Sequence, residues 1–389
     1  MKNTTGVPNH GFSRHYAYSG IAAWESITPG IPGNSWKRPW NGLTGLPQAT
    51  HAKKFYWPAN VNASLAAINR SFFPNANTVD KAAIDSLEAA LNESFLTKAN
   101  QERLAASAQY GKAVAAVIFN WAETDGYKNA NDPYTPPVGE GLWKPTPPAN
   151  AAPATPYWGK NRPIVAGSLV NTNPGAPPAY STDPNSPFYK MVKQVYDVSL
   201  TLTTDQNNMS LFWRDIPGVS SPGHWLSILL QTVQQTDASL AKAVMAYALT
   251  GAAGNDALIG CFKVKYTYNL VRPVTYIREK MGYTGWNSYI ATPAHPEYPS
   301  AHSALSAGAA VIFEELFGNV KNFTDHTYDY MGFPSRSYTS FMAIAREAGQ
   351  SRLYGGIHYQ PSIDAGLQQG TKTGANVLDQ SLSSNFSLK

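Results

Sequence analysis

The stretch Tyr298-Pro299-Ser300-Ala301-His302-Ser303-Ala304-Leu305-Ser306-Ala307-Gly308-Ala309-Ala310-Val311-Ile312-Phe313 decides how this chain is read. Tyr298-Pro299-Ser300 is a turn, and the small-residue and then apolar run behind it has helical character. Ser300 therefore stands at or near a helix start, where serine caps well. A helix start offers free backbone N–H groups and the positive end of the macrodipole, which together bind an oxyanion. His302 falls in the first turn, close to whatever binds there.

Two further pieces lie on either side. Upstream is Lys265, then six residues, then Arg272-Pro273. On a continuous helix this spacing puts Lys265 and Arg272 on one face, roughly 10 Å apart along the axis. Downstream is Ser351-Arg352, five residues, then His358, where Gly355-Gly356 ends a helix and swings the chain back. Three cations, a serine hydroxyl and free N–H groups form a cradle for a tetrahedral oxyanion, flanked by two histidines. Each piece alone has an ordinary reading as a solvated helix face, a cap or a helix stop. Their order, and their common place at helix ends, carries the assignment.

Composition sets bounds. A chain of 389 residues can bury a large core. Charged residues make up 14% of it, well below the usual quarter or so, while Trp (10) and Tyr (22) are abundant. That profile suits a compact exported protein, periplasmic or extracellular. Met1 to Gly6 carry no apolar segment of a signal peptide, so the expectation includes a signal already removed. The net charge of +5 comes with no basic run or Arg/Lys stripe, which argues against nucleic-acid binding and fits an anionic ligand at one site. The only cysteine, Cys261, leaves no internal disulfide and reads as a small buried hydrophobe. No apolar stretch reaches the roughly 18 residues needed to span a bilayer.

Periodicity predicts helices over 15–26, 60–72, from 78 onward, and over 100–123, 186–202, 225–236, 237–249, 256–270, 301–316, 338–352 and 361–382. Residues 31–54 and 212–223 read as irregular. Residues 125–187 are crowded with Pro, Gly, Asn and Thr, but the interleaved Trp143, Tyr157, Trp158 and Tyr180 speak for an ordered arm rather than a solvated linker. No run of alternating strands appears. The expected class is all-α, with helices packed as bundles, in one domain over 1–389. Residues 1–190 supply helices and the arm, packed on a core of 191–389 that carries the site.

With these pieces in hand, Lys265-x6-Arg272-Pro273, Pro299-Ser300-Ala301-His302 and Ser351-Arg352-x5-His358 together resemble the three-part signature of the vanadium haloperoxidase and type 2 phosphatidic acid phosphatase superfamily. The match is close over 256–370. Trp143-Lys144-Pro145-Thr146-Pro147-Pro148 and Pro156-Tyr157-Trp158-Gly159 resemble its soluble bacterial haloperoxidase branch.

The resemblance implies roles. Lys265, Arg272 and Arg352 hold the equatorial oxygens of vanadate, or of phosphate in the same place, and Ser300 and the N–H of Ala301 add hydrogen bonds. His358 is the metal ligand or, in a phosphatase, the nucleophile. His302 is the general acid–base, and Lys265 polarises bound peroxide. The implied activity is oxidation of halide by hydrogen peroxide to hypohalous acid, which halogenates a small organic acceptor; a homo-oligomer is compatible with it. The alternatives are an acid phosphatase with a phosphohistidine intermediate and an inactive anion-binding protein. Elementary chemistry agrees with these roles: a neutral imidazole is a good ligand and nucleophile, and a second one titrates near neutrality.

Two departures from the family pattern stand out. Ala301 replaces the usual Gly but keeps its N–H. The phosphatases place an Asp four residues after the second His to orient that ring, and here the position is Ser362, with Asp364 two residues on. Phosphoryl transfer wants that carboxylate, whereas a backbone carbonyl is enough to fix a vanadate ligand; the departure tilts the reading towards the peroxidase. His224 reads as a helix cap beside a core Trp, with a place lining the cavity as the alternative, and His295 as a surface turn, with reach into the site as the alternative. Tyr266, Tyr268, Tyr354 and Tyr359 read as aromatic packing.

Overall fold

Helix α8, Leu240–Tyr268, is the element on which the others are hung. It runs unbroken for 29 residues, where the sequence reading has two helices separated at 250–255. The glycines there are contact points. A Cβ on Gly251 would stand 2.6 Å from Ala17 Cα, so only glycine lets the two backbones come this close. Ala17 belongs to α1, Gly11–Glu25, which is buried along its whole length. Tyr18, Ile21 and Trp24 of α1 share a core with Val114 and Ile118 and with Leu249 and Ala252 of α8.

The structure is a computed structural model that describes residues 7–8, 10–31, 36–49, 54–216, 218–318 and 322–383. The reading of Met1 to Gly6 lies outside these residues, as do 32–35 and 50–53 of the irregular segment. Three helices follow α1: α2 (Trp57–Phe72), α3 (Thr78–Phe95) and α4 (Gln101–Ala122). Asn77 and Asn100 cap α3 and α4 by accepting from the N–H of Asp80 and Arg103. From 125 to 186 there is no α-helix, only 3-10 turns at Tyr127–Asn129 and Trp158–Lys160. Trp143 and Trp158 in this segment are buried. Its turn at 164–168 is tied to α8 by the Asp256 carboxylate, which accepts from Ile164 N–H, Val165 N–H and the Ser168 hydroxyl at 2.7, 3.0 and 2.8 Å.

The second half continues with α5 (Pro187–Ser199), α6 (Thr204–Phe212), α7 (Ser221–Gln235), α8, α9 (Pro273–Glu279), α10 (Ala301–Phe317), α11 (Phe341–Tyr354) and α12 (Gln360–Ser381). Two of these, α6 and α9, were not expected. A capping box between Thr203 and Gln206 nucleates α6, which has too few apolar residues for periodicity to reveal. Strands β1 (Phe323–Asp325) and β2 (Arg336–Tyr338) form one short antiparallel hairpin, also unexpected. The class is all-α as expected. Among the described residues no helix is long and apolar enough to cross a membrane.

Candidate oxyanion site

Lys265 and Arg272 do not share a helix face. Asn269 adopts the left-handed conformation (φ 47) and ends α8 after Tyr268. Arg272 is extended (ψ 152), as a residue before proline prefers, and Pro273 opens α9. The two cations converge all the same, because both reach the loop before α10. Lys265 Nζ donates to the carbonyls of Pro296 and Glu297, each at 2.9 Å. Arg272 Nε donates to the His295 carbonyl at 2.9 Å, and its Nη1 to the Ile357 carbonyl at 2.8 Å. An ammonium has three donors, so Lys265 keeps one N–H for a ligand.

Ser300 is the N-cap of α10, as expected, and its hydroxyl accepts from Ser303 N–H at 3.3 Å. Ala301 is the first helical residue, so its N–H is among those left free at a helix start. Arg352 lies in the last turn of α11, and Gly355-Gly356 turns the chain, with Gly356 at φ +74. The Arg352 carbonyl accepts from Ile357 N–H and His358 N–H, which sets His358 beside the cradle. Arg272 Nη1 lies 3.4 Å from His358 Nε2, and Arg352 Nη1 lies 3.2 Å from His302 Nε2. The structure thus brings Lys265, Arg272, Ser300, Ala301, His302, Arg352 and His358 into one neighbourhood.

His302 Nε2 is 2.9 Å from the Trp213 carbonyl, which favours a proton on Nε2, and 3.2 Å from Arg352 Nη1, which favours a lone pair there. Asp215 Oδ1 is 3.7 Å from the same nitrogen. Trp213 and Asp215 belong to the segment after α6, whose Ser210 carbonyl also accepts from Arg352 Nη2 at 3.2 Å.

The residue that sequence reasoning missed is Glu297. Its Oε1 takes His358 Nδ1–H at 2.8 Å and Tyr359 N–H at 2.9 Å, and its Oε2 takes the Ser362 hydroxyl at 2.6 Å. A backbone carbonyl would be enough to fix the His358 tautomer, but here a carboxylate does so. Asp364 plays no part in this network; it accepts from Gln360 on the surface. His295, read as a surface turn, instead sits against Arg272, with Nδ1 3.0 Å from Nη2, and its ring centroid is 5.2 Å from that of Phe262. His224 caps nothing, because Ser220 is the cap of α7. It is buried and stacked on Trp213 with centroids 4.1 Å apart, and its Nε2 meets Asp325 Oδ2. Cys261 is fully buried, as expected.

Burial dominates the electrostatics. Lys265 and Arg272 are 0% exposed and Arg352 is 2% exposed. Burial pushes the Lys265 ammonium down and the Glu297 carboxyl up. It lowers Arg272 and Arg352 to about 10, which leaves both charged at neutral pH. His358 is held well below its ordinary value by burial, then by Arg272 and Lys265. His302 falls to about 4 through burial and then Arg352, opposed by Asp215. The buried basic side chains Lys265, Arg272 and Arg352 face three imidazoles, those of His295, His302 and His358, and one buried carboxylate, Glu297, already engaged on His358. Such a set fits an anion and would repel a free metal cation.

A fold of helical bundles with three buried basic side chains gathered between a helix start and a helix end defines the class, and comparison with known proteins gives the family. The family model described as the VCPO second helical-bundle domain matches residues 245–385. The crystal structure of a bacterial vanadium-dependent iodoperoxidase superposes with TM-score 0.87 at 32% identity, covering 98% of this chain and 94% of that one. The holo form of a bacterial vanadium-dependent chloroperoxidase gives TM-score 0.73 at 16% identity over 96% and 92%, and an apo form gives 0.71 at 15% over 96% and 93%. These last two share the fold. No curated protein sequence matches significantly. The chain belongs to the vanadium haloperoxidase family.

Proposed function

We propose that this protein is a vanadate-dependent haloperoxidase, which oxidises halide with hydrogen peroxide to hypohalous acid that then meets a small organic acceptor. The observation that carries the reading over a phosphatase is likeness along nearly the whole chain to a bacterial vanadium-dependent iodoperoxidase, at 32% identity; the buried Lys265, Arg272 and Arg352 around His358 fit the oxyanion it needs. Lys265, Arg272 and Arg352 would hold the oxygens of vanadate, Ser300 and the Ala301 N–H would add hydrogen bonds, and His358 Nε2 would be the protein's ligand. Vanadate, when bound, supplies a Lewis acid that activates peroxide without changing oxidation state. The chain's own part is binding, orientation and proton handling. Arg272 donates towards Nε2 and Glu297 accepts from Nδ1–H, so the ring presents a lone pair at Nε2. The spare Lys265 N–H would donate to a bound oxygen. His302, neutral above pH about 4, would take a proton and return it through the ring nitrogen that carries none.

Purified protein should oxidise iodide, bromide or chloride only when vanadate is added, and millimolar phosphate should suppress this at limiting vanadate. Hydrolysis of a phosphate ester without any vanadate-dependent halide oxidation would refute the reading in favour of a phosphatase. Neither activity would point to an anion-binding protein. The shared core of α1 and α8 supports one domain over 1–389, which limited proteolysis tests: rapid cleavage into two stable halves would overturn it. The low charge density supports export, testable by cell fractionation.

A further inference from the structure

We propose that Glu297 is the positioning residue of the whole cradle, and that its carboxylate stands in for the one that position 362 does not supply. The proposal rests on His358 being the oxyanion-facing ring of the site. Glu297 touches the first and third parts of the signature and lies two residues before the second. Its carbonyl accepts from Lys265 Nζ at 2.9 Å. Its N–H donates to the Leu270 carbonyl at 3.0 Å, two residues before Arg272. Its carboxylate holds His358, Tyr359 and Ser362. The side chain is 0% exposed, so water cannot replace these contacts.

The carboxylate comes from the segment leading into α10, whereas the hydroxyl that meets it comes from the start of α12. These two segments are pinned together where Ser300 N–H donates to the Ser362 carbonyl at 2.9 Å. A carboxylate grafted at 362 would start from the place of the Ser362 hydroxyl, 2.6 Å from Glu297 Oε2, and so beside the volume that the Glu297 carboxylate fills. A ring whose Nδ1–H is fixed by a carboxylate is a better-oriented and more basic donor at Nε2, and losing such a partner costs about 10–100-fold in affinity at comparable sites.

The test compares wild type with Glu297→Ala, Glu297→Gln and the double variant Glu297→Ala, Ser362→Asp. The first readout is the His358 tautomer by 15N NMR of anion-free protein, which needs neither vanadate nor activity. The second is vanadate affinity by equilibrium dialysis. Wild type should carry the proton on Nδ1. Glu297→Ala should lose that preference and bind vanadate about 10–100-fold more weakly, and the double variant should recover both. If Glu297→Ala does not fold, Glu297→Gln, whose amide oxygen can still accept from Nδ1–H, should keep the tautomer but, lacking the charge that makes the ring more basic, should still bind vanadate more weakly than wild type. Wild-type tautomer and affinity in a folded Glu297 variant would overturn the proposal, as would a folded double variant with no recovery. Absence of vanadate binding in wild type would sink the haloperoxidase reading while the tautomer result still judged Glu297.

Discussion

In anion-free protein His302 should make folding acid-sensitive. Burial and then Arg352 lower its pKa from 6.5 to about 4. The unfolded chain therefore takes the proton first, so stability from this residue is intact above pH 6.5, falls as pH drops, and stops falling near pH 4. One pH unit of such a difference is worth about 1.36 kcal/mol, so moving from pH 7.5 to pH 5 should cost about 2 kcal/mol. Other histidines shift the same way: His10 falls to about 4 and His15 to about 3. Raised carboxyls such as Asp256, at about 6, act in the opposite sense. A double difference removes these contributions. His302→Gln keeps a donor for the Trp213 carbonyl but cannot titrate. Urea unfolding of both proteins at pH 7.5 and pH 5 should show wild type losing about 2 kcal/mol more than His302→Gln. Bound phosphate or vanadate, by offsetting the charge of Arg352, should shrink that gap. Parallel pH profiles in the anion-free proteins would refute the assignment of a buried, proton-free His302.

Three further outcomes follow from the same geometry. His358→Ala should abolish tight vanadate binding in equilibrium dialysis while circular dichroism shows the helices intact; retained stoichiometric vanadium would move the ligand elsewhere, with His302 the next candidate. His302→Ala should keep vanadate affinity within a few-fold and lose about 10²–10⁴-fold in halide oxidation; equal losses in affinity and rate would make it a binding residue. Asp256→Ala leaves Ile164 N–H, Val165 N–H and the Ser168 hydroxyl without their acceptor. It should cost about 1–3 kcal/mol in stability and speed proteolysis of 125–187, whereas unchanged cleavage would mean the turn is held by other contacts.

The signature was legible because helix ends write themselves into short stretches of sequence. Ser300 before a helical run and Gly355-Gly356 after one are local signals, and the residues that bind at those ends sit within a turn of them. Arg272 was found for a wrong reason: the helical spacing from Lys265 does not exist, since Asn269 breaks α8. The loop at 295–297 does the gathering instead. The glycines of α8 were read as a break because a glycine that stops a helix and one that admits a neighbouring backbone look alike until Ala17 is seen against Gly251. Glu297 was missed because its partners lie 61 to 65 residues away. One signal was available: an acidic residue in an otherwise apolar and proline-rich approach to Ser300, where burial without a partner would be costly. His224 and Asp325 pair across 101 residues, and nothing local announces it.

Glu297 also changes the weight of an argument drawn from sequence. The missing Asp at 362 tilts the reading towards peroxidase chemistry only while no other carboxylate reaches His358. Glu297 reaches it at 2.8 Å, and Ser362, far from being a gap, donates its hydroxyl to the same carboxylate. The ring is therefore oriented as firmly as a phosphoryl-transfer nucleophile requires, and the departure at 362 no longer discriminates between the two chemistries. The substitution at 301 does not discriminate either, because an alanine at the first helical position keeps its N–H. What favours the peroxidase is kinship along nearly the whole chain with a vanadium-dependent iodoperoxidase, at 32% identity and 98% coverage. The mutation that separates the roles is His358→Ala. In a peroxidase it removes a ligand and should cost affinity for the oxyanion. In a phosphatase it removes the nucleophile and should cost turnover while phosphate, still held by Lys265, Arg272 and Arg352, continues to bind.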